Sequence, residues 1–93
     1  MFVHMSIHRP KPGKEQDLIE SMHRYGAGGS GVDGLISVHT LQDKDAGVLV
    51  GLALWESREK REAGVGAMRA AVKDDPFGEW EAADVVGYDL EEV

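Results

Sequence analysis

From Phe2 to His8 apolar and polar residues alternate, with Val3, Met5 and Ile7 on one side and His4, Ser6 and His8 on the other. A period of two is the signature of a strand. Pro10, Pro12 and Gly13 stop it and turn the chain. From Lys14 to Tyr25 the period lengthens, and Leu18, Ile19, Met22 and Tyr25 make the apolar stripe of a helix. Glu15 and Asp17 near its start, and His23 and Arg24 near its end, suit the helix dipole. Gly26 to Gly31 is expected to be a helix C-cap and a flexible loop. Gly34 to Gln42 predicts a second strand, and Asp43-Lys44-Asp45-Ala46-Gly47 a hairpin turn. Val48 to Trp55 is the longest apolar run, and its bulky and β-branched residues predict a strand. Both faces of that strand are apolar, so it needs cover on both sides. Ser57 supplies an N-cap oxygen for a second helix running to about Lys73, with Ala63, Ala67, Met68, Ala71 and Val72 apolar. Gly64 and Gly66 weaken that helix by roughly 1 kcal/mol each relative to Ala. Asp74 to Trp80 is expected to be an irregular link whose aromatics either cap a pocket or, the commoner case, close the end of a core. Ala83 to Leu90 reads as the last strand, with Val86, Tyr88 and Leu90 on one face.

The predicted order is β-α-β-β-α-β, the ferredoxin-like split βαβ arrangement, an α+β fold with two helices on one face of a four-stranded antiparallel sheet. The other face would carry Val48, Val50, Leu52 and Leu54 and stand open in a monomer. An exposed apolar patch of that size marks an interface, so the expected assembly is a homodimer with sheets packed face to face.

Ninety-three residues make one small domain, 1–93. The formal net charge of -7 argues against nucleic acid and anionic membranes as partners. The absence of cysteine excludes thiolate chemistry and fits a reducing, cytoplasmic setting. The first residues lack the pattern of a signal peptide, and no run is long enough to span a bilayer. Gly26-Ala27-Gly28-Gly29-Ser30-Gly31 matches G-x-G-x-x-G in spelling only. A helix precedes it and a strand follows, the reverse of the dinucleotide-binding context.

The strand order, Gly34-Leu35-Ile36-Ser37 entering the second strand, and Leu54-Trp55-Glu56-Ser57 opening the second helix together resemble the antibiotic biosynthesis monooxygenase domain. The resemblance covers nearly the whole chain and implies a dimeric α/β barrel. It also implies one of several chemistries: oxidation of anthrones or quinols by O2 without a cofactor, haem degradation, or none known. Ligands of that family sit between sheet and helices. The family's Trp is matched by Trp55. Its Asn four residues earlier is Gly51 here, its Tyr six residues after the Trp is Arg61, and its second-strand Tyr falls at about Thr40. The haem degraders' first-strand Asn falls near Ser6, and their Trp and His fall near Gly64 and Asp74, so the haem set is absent.

The resemblance places His4, Ser6, His8, Val38, Thr40, Leu49, Gly51, Ala53 and Trp55 on the helix side. It places Val3, Met5, Ile7, Leu35, His39, Val48, Val50, Leu52 and Leu54 on the barrel side. Gly51 and Ala53 would leave volume for a ligand, with Met68 of the second helix beside them. His4 and His8 share a face but lie roughly 13 Å apart along a strand, too far for one metal ion. No metal site and no cofactor are expected. Either histidine could act as a general base, since an unperturbed imidazole titrates at about 6.5. Ser6 and Thr40 could donate hydrogen bonds to the resulting anion. Trp55 is read first as a core anchor, then as a wall for a flat aromatic ligand. The acidic pairs Asp74-Asp75 and Glu91-Glu92 are read as solvated surface. Two functions follow: a monooxygenase acting on an aromatic or quinol-type molecule, or a non-catalytic binding or accessory dimer.

Overall fold

The computed structural model describes residues 1–93 and forms seven elements: β1 (Phe2–His8), α1 (Glu15–Gly28), β2 (Leu35–Asp43), β3 (Val48–Trp55), α2 (Arg58–Ala70), α3 (Phe77–Trp80) and β4 (Val86–Glu91). The four strands make one sheet in the order β2-β3-β1-β4, antiparallel throughout. This is the ferredoxin-like α+β fold that the sequence pattern predicts. Alternation decides what each face carries. On one, Phe2, Leu49, Ala53 and Trp55 are buried under the helices. On the other, Val86, Tyr88 and Leu90 stand exposed in line with Ile7, Met5 and Val3.

The core lies between the sheet and α1 and α2. Phe2, Ala53, Trp55, Val65 and Met68 form its centre, with Tyr25, Val32, Leu35 and Val38 packed around them. Ser57 caps α2, its hydroxyl accepting a hydrogen bond from the Lys60 N–H at 3.1 Å. That cap fixes where β3 ends and turns the chain back across the sheet.

Three expectations are corrected. The glycine run does not end α1 at Tyr25; the helix continues through Gly28. A methyl group on Gly28 would meet the Ala71 side chain at 2.9 Å and the Ala67 carbonyl at 3.1 Å, so glycine lets the two helices approach closely. Leu35 does not face the barrel side. The register between β2 and β3 shifts between Leu35 and Ser37, and this bulge turns Leu35 inward against the core. The link after α2 is not wholly irregular, because Phe77–Trp80 forms the short helix α3. No helix is long and apolar enough to cross a membrane.

The two glycines inside α2 have opposite roles. A methyl group on Gly64 would meet Val32 at 2.5 Å and the Trp55 ring at 3.0 Å, whereas Gly66 has open space. Gly66→Ala should therefore stabilise the protein by about 0.5–1 kcal/mol through helix propensity and a less flexible unfolded chain. Gly64→Ala should destabilise it by about 1–3 kcal/mol through overpacking. Urea unfolding of the two variants checks the opposite signs.

Candidate functional site

A row of residues crosses the middle of the sheet on its helix side. Thr40 of β2 lies opposite Gly51 of β3, Gly51 opposite Ser6 of β1, and Ser6 opposite Gly87 of β4. Glycines flank Ser6 on both neighbouring strands, so little side-chain bulk rises around it. Above this row is a cavity of about 210 Å³. His4, Ser6, His8, Thr40, Gly51 and Ala53 form its floor and rim. Met22 and Tyr25 of α1 close it from above, and Val72 and Phe77 close it from the side. Phe77 is held edge-on to Trp80, with ring centroids 6.0 Å apart.

The structure therefore brings together six of the eight residues singled out in the sequence. It separates the other two. Trp55 is 1% exposed and Met68 fully buried; both belong to the core beside the cavity and neither lines it. Trp55 packs against the backbone of Gly64 in α2, so close that a β-carbon there would lie 3.0 Å from its ring.

Both strand histidines have carboxylate partners from the far end of the chain. His4 Nδ1 lies 2.7 Å from Asp89 Oδ1, because Asp89 stands directly opposite His4 in the β1–β4 ladder. His8 Nδ1 lies 2.8 Å from Glu81 Oε1. Glu81 is carried there by a clamp beyond the end of β1. Lys11 N–H donates to the Trp80 carbonyl at 2.7 Å, and Ala82 N–H donates to the Arg9 carbonyl at 2.7 Å. A carboxylate on Nδ1 selects the tautomer with the proton on that nitrogen and leaves Nε2 as the basic atom. His4 Nε2 has no hydrogen-bond partner within the protein; His8 Nε2 meets Ser6 Oγ at 3.0 Å.

The electrostatics follow from these contacts. The hydrogen bond from His4 holds the Asp89 carboxyl below its ordinary range, so Asp89 is ionised at neutral pH. Burial pushes the Tyr25 phenol up, partly offset by Arg61 and Arg69. Tyr25 is therefore a neutral hydrogen-bond donor at the cavity wall. Asp75, expected on the solvated surface, instead accepts hydrogen bonds from the buried Ser21 hydroxyl at 2.6 Å and from Arg24 at 2.8 Å. Both hold its carboxyl low, and the contact ties the link after α2 onto α1 at the cavity's edge. Glu91 remains an exposed partner of Arg58.

Gly51 explains how this floor differs from that of the resembled family. A methyl group there would come 2.7 Å from Ser6 Oγ. A family-type Asn at this position cannot coexist with Ser6 as placed; the serine hydroxyl occupies the space above the glycine. Glu81 and Asp89 were missed in the sequence because only chain pairing across the whole sheet brings them to the histidines. Tyr25 and Met22 were legible as the inward stripe of α1, but not as cavity lining.

The fold has many solved neighbours. The structure of Rv0793 from Mycobacterium tuberculosis superposes with a TM-score of 0.83 at 18% identity, covering 99% of this chain and 94% of that one. A protein of Chloroflexus aurantiacus J-10-fl named for the antibiotic biosynthesis monooxygenases matches with a TM-score of 0.73 at 23% identity, covering 99% and 92%. Another structure, named antibiotic biosynthesis monooxygenase, matches with a TM-score of 0.79 at 14% identity, covering 100% and 99%. No family model matches the sequence, and no curated protein matches it. In each of these structures the likeness runs over nearly the full length of both chains, and the chain has the fold of the antibiotic biosynthesis monooxygenase domain.

Proposed function

We propose that the protein is a homodimeric monooxygenase that oxidises a small aromatic or quinol-type molecule with O2 and without a cofactor, with His4 as its general base. The observation that supports this most is His4 itself. Its Nδ1 is engaged by Asp89 while its Nε2 is free at an apolar cavity. A substrate with an activated methylene gives its proton to that nitrogen. The carbanion passes an electron to O2, the radicals combine to a hydroperoxide, and loss of water leaves a ketone; CH2 and O2 become C=O and H2O. Tyr25 and Thr40 hydroxyls are the donors available to the substrate's oxygen as negative charge develops. The cavity is small by the standard of ligand sites, which suits one or two fused rings better than a large polyketide. The domain would act as one unit, 1–93, in the cytoplasm.

A second reading, a non-catalytic binding or accessory dimer, is favoured by Gly51 and Arg61. They stand where the resembled oxygenases have Asn and Tyr. Oxygen uptake with a panel of hydroquinones and anthrones separates the two. The oxygenase reading expects uptake above the spontaneous rate, falling about 100-fold to 10,000-fold in His4→Ala. A folded protein with no uptake across the panel supports the accessory reading.

A further inference from the structure

We propose that Ser6, His8 and Glu81 form a nucleophile–base–acid triad that gives the cavity a second, hydrolytic activity toward small aryl esters. This inference rests on the cavity and its side chains, not on the oxygen chemistry above. Ser6 Oγ is 3.0 Å from His8 Nε2, and His8 Nδ1 is 2.8 Å from Glu81 Oε1. These are the contacts by which a carboxylate orients an imidazole and an imidazole accepts a serine proton. The arrangement is built rather than incidental. The His8 and Glu81 side chains are only 14% and 8% exposed. Glu81 is fixed by the main-chain hydrogen bonds on either side of it, and Gly51 keeps the space above Ser6 clear of a β-carbon.

The second oxygen of Glu81 points to what the triad is set for. Glu81 Oε2 is buried with no hydrogen-bond partner. A buried carboxylate with one unpaired oxygen is costly, and it is best compensated by a positive charge next to it. Transfer of the Ser6 proton makes that charge on His8.

The reaction balances without an oxidant. Ser6 Oγ bonds to the ester carbonyl carbon as its proton moves to His8 Nε2. The bond to the aryloxide breaks, and His8 gives its proton to the departing phenol. Water, deprotonated by His8, then attacks the acyl-serine; the bond from the acyl carbon to Ser6 Oγ breaks, His8 returns the proton to Ser6 Oγ, and the carboxylic acid is released. The main-chain N–H groups of β1 serve the ladders to β3 and β4, so the oxyanion would be held by side-chain hydroxyls. Tyr25, kept neutral by burial, and Thr40 line the same cavity. The apolar walls formed by Met22, Val38, Val72 and Phe77 suit an aryl leaving group.

The test uses the whole protein, a fluorophosphonate probe and p-nitrophenyl acetate. Intact mass should show one phosphonyl adduct, mapped to the Ser6 peptide and absent in Ser6→Ala. Ester hydrolysis should fall by about 100-fold or more in Ser6→Ala and in Glu81→Gln. Glu81 is a positioning residue in this scheme, so Glu81→Gln should lower kcat with KM retained and leave the melting temperature close to that of the parent. A folded protein that takes up no probe overturns the proposal. So does hydrolysis that persists in Ser6→Ala, because imidazole alone then accounts for it. Oxygen uptake followed in the same variants is a separate readout, so loss of one activity leaves the other to stand or fall by itself.

Discussion

Trp55→Ala should destabilise the protein by about 3–5 kcal/mol, measured as the loss of unfolding free energy in urea. Trp55 is 1% exposed at the end of β3 and touches the centre of the core. Its ring lies against the backbone of Gly64, close enough that even a methyl group there would be 3.0 Å from it. Truncation removes the largest fully buried side chain and leaves a cavity that a sheet and a helix cannot both collapse to fill. A domain of this size has about 5–15 kcal/mol in total, so the variant should be marginal at 37 °C. The outcome also decides between two roles for this residue. A core anchor predicts the large loss of stability. A ligand-facing wall predicts a loss below about 1 kcal/mol with weakened binding, which would overturn the packing described here.

Leu52→Asp should convert the protein from dimer to monomer. Leu52 lies in the middle of the open sheet face, opposite Met5 on β1 and His39 on β2. That face continues through Val3, Ile7, Val48, Val50 and Leu54 to the exposed Val86, Tyr88 and Leu90. The helices of the same chain cover only the opposite face. Under the dimer reading the aspartate would be buried in each copy without a partner. Such a burial costs several kcal/mol, about a thousandfold or more in Kd. Leu52 belongs to the sheet face and not to the buried core, so the monomer should remain folded. Light scattering checks it: a dimer for the parent and a folded monomer for Leu52→Asp. A monomeric parent, or a variant that dimerises unchanged, would contradict the sheet-to-sheet assembly.

Much of this architecture was legible because two periods rarely mislead over long runs. The alternation in β1 placed His4, Ser6 and His8 on one face, and that face carries the cavity. The apolar run of β3 and the Ser57 cap located the central strand and the start of α2. Errors arose where tertiary packing overrode a local signal. Gly26 and Gly28 look like a helix stop in isolation, yet Gly28 packs closely against α2 and Gly26 lies against Val38 of β2, so small residues are favourable there. Leu35 obeys the period until the bulge beside Ile36 inserts one residue and reverses its face. The site was legible only in half. A strand's own residues declare which side they share, but the carboxylates that set the chemistry of His4 and His8 come from 85 and 73 residues away, respectively. No local pattern in Glu81 or Asp89 separates them from the surface acids around them.

Under the proposed function, the cavity above Ser6 and Gly51 receives a small aromatic ligand. An anaerobic titration of the 15N-labelled protein with a hydroquinone, followed by amide chemical shifts, tests it most directly. Saturable shifts are expected at His4, Ser6, His8, Thr40, Gly51 and Tyr25, with the amides around Trp55 and Met68 moving little. Shifts confined to the open sheet face, or none at millimolar ligand, would contradict it.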